Sequence, residues 1–163
     1  TRRIIMSDVP TDFYEDGSAE ELYKILRQSS AWKQHIIVPE DGWQHYRPYC
    51  HGGLPVFTIG SHEQRNPAET GDILSVMVAG VIEGPVQLGT FDAVALGDVV
   101  YAAHDGTDPY LTKDPDDSNV VCCWGLIIDD QRPIHFGEAV LTGDYENLYS
   151  IRMIPPACSV ITD

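Results

Sequence analysis

The 163-residue sequence predicts a mainly β fold, a compact barrel or sandwich, and three observations predict it. Short apolar runs rich in Val, Ile, Leu and Tyr recur from Val56 onward. Turn residues punctuate them: Gly84-Pro85, Gly89, Gly97-Asp98, Asp105-Gly106, Asp108-Pro109, Asp114-Pro115 and Gly143-Asp144. Helical patterning is confined to one short stretch near the start. Short strands at such spacing indicate a barrel or sandwich rather than strand–helix–strand units. The length suits one domain with an appended arm or small subdomain, and 43% hydrophobic residues suffice for a core.

Taken in order, residues 1–17 read as an extended arm. Its first dozen residues carry no amphipathic pattern, and Pro10 marks the end of that stretch. A short N-terminal helix is predicted over 19–30. Ser18 is a good N-cap, Glu21 completes a capping box, and Leu22, Ile25 and Leu26 give one apolar face. Residues 31–55 are aromatic and irregular, with Trp32, Trp43, Tyr46 and Tyr49 among Pro39, Pro48, Pro55 and Gly52-Gly53. Ile36-Ile37-Val38 is a candidate short strand there, and the rest reads as ordered loop. Helix and irregular segment together make a unit of 18–66, followed by a β domain of 67–163. Strands are predicted at Val56-Phe57-Thr58-Ile59, then over 72–81, 99–103, 120–128, 138–142 and 148–154, where Pro155-Pro156 stops the last one.

The formal net charge is -15, from 25 acidic and 10 basic residues. Such a surface repels phosphate backbones, which argues against direct nucleic-acid binding, and against docking on an anionic membrane. The charge is uneven. Residues 1–66 hold nine acids and seven bases, whereas 67–163 hold sixteen acids against Lys113, Arg132 and Arg152. No apolar run is long enough for a membrane-spanning helix, and the start lacks the apolar stretch of a secretory signal. Four cysteines, Cys50, Cys122, Cys123 and Cys158, are too few for a disulfide scaffold at this length. Cys122 and Cys123 read as small core or sheet residues.

Six histidines raise a metal hypothesis, densest around His45, Cys50 and His51, but no ligand-type spacing supports it and no metal or other cofactor is expected. The acidic run Asp105, Asp108, Asp114, Asp116 and Asp117 lacks the calcium-loop spacing and reads as a solvated loop. Nucleophile-elbow and phosphate-loop patterns are absent. Gly97-Asp98 reads as a structural turn. It lies between the apolar runs Ala93-Val94-Ala95-Leu96 and Val99-Val100-Tyr101, where Gly97 can take a positive φ and Asp98 can bond nearby N–H groups.

A more specific pattern runs from Gly71 to Ile154. Gly71-Asp72-Ile73-Leu74-Ser75-Val76 opens a strand, and Val81-Ile82-Glu83-Gly84-Pro85-Val86 follows. Then come Ala95-Leu96-Gly97-Asp98-Val99-Val100-Tyr101, Gly106, Leu111-Thr112 and Trp124-Gly125-Leu126-Ile127. Tyr149-Ser150-Ile151-Arg152-Met153-Ile154 closes it. In order and spacing this resembles the small β-barrel family of tailed-bacteriophage capsid decoration, or cement, proteins. The resemblance covers about half the chain and leaves out residues 1–66.

The resemblance implies a structural virion protein rather than an enzyme. Such a protein is made in the host cytoplasm, binds the outer capsid surface as a homotrimer, and bridges neighbouring major capsid proteins. Arg2, Arg3, Ile4, Ile5 and Met6 are then a candidate capsid-binding arm, because an arm can add a strand to a sheet edge. Trp32, Trp43 and Tyr46 are candidate interface aromatics, at a subunit contact or packed beneath the irregular segment. Two other readings stand beside this one: a small cupin-like metal-dependent enzyme using some of the histidines, and a receptor- or glycan-binding virion module using the aromatics as stacking platforms.

Overall fold

Ten strands build the computed structural model, which describes residues 22–26, 31–91, 93–129 and 148–154. They are β1 (Lys24–Leu26), β2 (Trp32–Ile37), β3 (Pro48–His51), β4 (Leu54–Ser61), β5 (Ile73–Ala79), β6 (Val81–Pro85), β7 (Val99–His104), β8 (Pro109–Thr112), β9 (Val120–Asp129) and β10 (Leu148–Met153). Six form one sheet in the order β1-β6-β10-β9-β7-β8, and four form the other in the order β2-β5-β4-β3. Every strand pairing is antiparallel. The fold is therefore mainly β, with two antiparallel sheets.

Alternation along the strands explains where the core lies, because neighbouring side chains on a strand point to opposite faces. Phe57 and Met77 of the smaller sheet meet Ile82, Val100, Leu111, Trp124, Ile127 and Ile151 of the larger one, all fully or nearly fully buried. Burying side chains of this size is worth roughly 1.5–3 kcal/mol each. The Trp124 indole N–H is shared between the carbonyl oxygens of Tyr49, at 3.1 Å, and Val56, at 3.2 Å, so its one polar group ties β9 to β3 and β4. A second cluster covers the other face of the smaller sheet. Val56, Leu74 and Val76 meet Val38, Trp43 and Ala68 from the connecting segments.

Buried polar groups hold those segments in place. Thr58 Oγ1 donates to the Gln44 carbonyl at 2.6 Å and accepts from the Arg47 N–H at 3.0 Å. Asp72, nearly fully buried, accepts from Arg65 Nε at 3.0 Å and from the Glu69 N–H at 2.9 Å. These bonds hold the Asp72 carboxyl below the usual carboxylate range, the Arg65 side chain contributing most.

The structure corrects several expectations. Within the helix predicted over 19–30, Lys24–Leu26 form strand β1, paired with Val81, Ile82 and Glu83 of β6. The remainder of that helix, apart from Leu22 and Tyr23, lies outside the described residues, as do the arm and the strand predicted over 138–142. The run 72–81 is two strands in different sheets. Gly80, at φ +149°, carries the chain from β5 to β6, a conformation that L side chains rarely adopt.

The division at 66/67 falls inside one sheet. β4 contains the strand predicted at Val56–Ile59, β2 overlaps the candidate strand at Ile36-Ile37-Val38, β3 comes from the stretch read as ordered loop, and β2 and β4 flank β5 across that division. The cysteine reading also changes. Cys50 of β3 and Cys122 of β9 form a disulfide between the two sheets, and no described cysteine is a free thiol. Each side chain reaches the gap between the sheets, so residues 72 positions apart become neighbours.

Candidate interaction surface

Among the described residues β2 and β3 end the smaller sheet, and β2 pairs with β5. Five of its six residues are exposed, and Ile36 is half-buried against the second cluster. Trp32 is 73% exposed and Ile37 59% exposed, and Ile37 sits opposite the partly exposed Ile73. A strand that ends a sheet offers backbone N–H and C=O groups that another extended chain can pair with. His35 meets His62 edge-on, with ring centroids 4.6 Å apart, and Ile73 donates its N–H to Glu63 Oε1 at 3.2 Å close by.

The three aromatics named from the sequence do not share a surface. Trp32 is exposed on β2. Trp43 is 5% exposed and stacks on Tyr49, with centroids 4.2 Å apart and planes within 6°. It is a core residue of the second cluster rather than an interface group. Tyr46, at φ +56°, is half-buried, with its ring 6.3 Å from that of Phe57. The irregular segment supplies Val38, Trp43 and Tyr49 to the second cluster, and its lack of periodicity hides that from the sequence.

Gly97 has φ +90° and donates its N–H to the Ile127 carbonyl at 2.8 Å. Asp98 Oδ2 accepts from the Ala95 N–H at 2.8 Å and pairs with Lys113 Nζ at 2.9 Å. Lys113 also donates to the Ala93 carbonyl at 2.6 Å and lies over the Phe91 ring. The turn is thus fastened to β9 on one side and to the chain after β8 on the other. Arg2, Arg3, Ile4, Ile5 and Met6 lie outside the described residues.

The histidines and acids are spread among local tasks. His45 Nε2 accepts from the Ser61 N–H at 3.3 Å, and His104 Nδ1 accepts from the Gly106 N–H at 3.0 Å. Cys50, between His45 and His51, spends its sulfur in the disulfide. Asp105 Oδ1 accepts from the N–H groups of Thr107 and Asp108, Asp114 Oδ1 from Asp116, and Asp117 Oδ1 from Asn119. Among the described residues, no three or more His, Cys, Asp or Glu gather as an ion would need.

Two features escaped the sequence reading. Glu83 of β6 is fully buried, and burial pushes its carboxyl up to about 8, against the pull of Lys24 across the strand pair. Its sequence signal was weak: an acid in an otherwise apolar run. The second feature is a groove of about 950 Å³ where the segment after β6 approaches the β7–β8 turn. Leu22, Val86, Leu88 and Pro109 line it together with Arg47, Asp105 and Asp108. Gln44 Nε2 donates to the Thr107 carbonyl at 3.2 Å and to Asp108 Oδ1 at 3.0 Å, fixing one wall. No family model, no curated protein and no solved structure matches the chain.

Proposed function

We propose that the chain is a structural binding protein of the capsid-decoration class. In this reading it sits on the outside of a phage head as a homotrimer and bridges neighbouring major capsid proteins. The observation that carries the reading is the ordered pattern from Gly71 to Ile154, which spans β5 to β10 and contributes strands to both sheets. The position of β2 supports it: among the described residues β2 ends a sheet, and a bridging protein needs surfaces that accept another chain. The structural employment of Gly97 and Asp98 supports it too.

The Cys50–Cys122 bond suits a particle that works outside the cell, since disulfides persist in oxidising surroundings and are rare in the cytosol. A protein made in a host cytoplasm would then acquire this bond on release. Many weak contacts repeated over a shell add up through multivalency.

Binding to purified heads that lack the protein tests the reading, with sedimentation as the readout. The intact chain co-sediments with the heads. Deleting residues 1–9 leaves the melting temperature nearly unchanged and weakens co-sedimentation. Equal binding by the deletion removes the arm from the mechanism, and no binding by the intact chain contradicts the function. Light scattering reports a trimer, because closed rotational symmetry fits a junction of several capsomers. A stable dimer contradicts that assembly.

A further inference from the structure

Two histidines from different parts of the chain meet on one face of the smaller sheet. His35 of β2 stands opposite Ser75 of β5. On the other side of β5, Ser61 of β4 stands opposite Leu74, and the next residue, His62, donates its N–H to the Ile73 carbonyl at 2.8 Å. The two imidazoles therefore reach across β5 from both sides, and their ring centroids lie 4.6 Å apart with planes at 82°. Ser75 and Gly60, in the same row as His35, are small and leave room for the rings. Both histidines are exposed.

Among the described residues, no hydrogen bond uses a ring nitrogen of His35 or His62. His45 and His104 differ, since each spends a ring nitrogen on a backbone N–H. The nearest charges along the chain are opposite in sign. Lys33 lies two residues before His35 on β2, and Glu63, beside His62, turns Oε1 to the Ile73 N–H. Arg65 is engaged by Asp72.

We propose that His35 and His62 form a two-histidine site for a divalent first-row transition-metal ion, with copper(II) held most tightly.

Geometry and ligand chemistry both favour this occupant. Metal–nitrogen bonds of about 2 Å place two imidazole centres on one ion roughly 5 Å apart, close to the 4.6 Å separation here. A small turn of each ring about its Cβ–Cγ bond brings one nitrogen of each to a shared ion. Backbone pairing of β2, β5 and β4 already fixes both ligands, so little ordering is lost on binding. Imidazole suits copper, nickel and zinc rather than calcium or magnesium, and copper(II) heads the affinity order at a given nitrogen site. Two protein ligands make an exchangeable site with water in the remaining positions, unlike a structural centre, which takes a fuller set of side chains. No described cysteine is a free thiol that would draw the ion away. The inference stands apart from the capsid reading, since it concerns one molecule alone.

Copper(II) chloride titrated into the full chain at neutral pH, after chelator treatment and dialysis, tests it, with electron paramagnetic resonance as the readout. The wild type is expected to bind one ion per chain and to show the nitrogen splittings of two imidazoles. His35→Gln and His62→Gln each remove one ligand at an exposed position. Losing a ligand costs at least as much as losing one of its supporting partners, so each variant is expected to weaken binding by about tenfold or more and to keep the signature of one imidazole. His51→Gln is expected to bind as the wild type does. Where one ligand variant melts differently from the wild type, the other decides. No binding by the wild type overturns the proposal. Unchanged binding in both ligand variants shows an adventitious ion only and overturns it. Equal weakening by His51→Gln places the ion elsewhere and overturns it. An end point of one ion per two chains assigns the ion to a bridge between copies and overturns the single-chain site.

Discussion

The ring of Tyr23 lies against Gly84, so closely that a Cβ on Gly84 would overlap it. Tyr23 is 2% exposed, and its hydroxyl accepts the Leu111 N–H at 3.2 Å. One side chain thus joins the start of β1 to β6 and to β8. Gly84→Ala is expected to destabilise the fold by about 1–3 kcal/mol, the cost of overpacking a filled site, read by urea unfolding. Tyr23→Phe removes one hydrogen-bond acceptor, and about 1 kcal/mol is expected for it.

The disulfide closes a long loop between the sheets. With a sequence separation of 72, the chain-entropy argument gives it about 4 kcal/mol. Replacing Cys50 and Cys122 together with Ala is expected to lower unfolding stability by an amount of that order. An unchanged urea midpoint would show that the Trp124 bonds to Tyr49 and Val56 hold the sheets together without it.

Glu83 makes stability depend on pH. Its folded value of about 8 lies above the ordinary 4.5, so between those limits the folded chain holds a proton that the unfolded chain has lost. The contribution is complete below about pH 4.5, declines as pH rises, and is gone above about pH 8. Urea midpoints at pH 5 and pH 8 check this. The wild type is expected to lose more stability between the two than Glu83→Gln, and parallel losses would count against the assignment.

Gly97 has room for a side chain but not the backbone for one. No atom stands within 4 Å of a Cβ placed there, so the strain at φ +90° is the whole cost. Gly97→Val is expected to destabilise by about 1–3 kcal/mol. Asp98→Asn is expected to be milder, because the amide oxygen still accepts the Ala95 N–H while the ion pair with Lys113 is lost. Urea unfolding of both variants gives the comparison.

The β class and the turn at Gly97 were legible because both are local. Apolar runs alternate with glycine-marked turns, and the φ that Gly97 adopts follows from the chain direction on each side. β1 was not legible in that way. Leu22, Ile25 and Leu26 fit a helix, Tyr23 and Ile25 equally fit a strand, and pairing with β6 decides between them. Cys50 and Cys122 carry no mutual signal, since pairing across 72 positions is set by how the sheets stack. Trp43 read either as packed beneath the irregular segment or as part of a subunit contact, because its segment has no period. It is buried because Val38 and Ala68 come to the same face of the smaller sheet.

Immunogold electron microscopy of particles released from cells that carry the gene tests the proposed role most directly. Antibody raised against the folded chain is applied to intact particles. The account predicts label distributed over the outer surface of heads, with none on tails. Label absent from heads, with the protein recovered only in the soluble fraction, would contradict it.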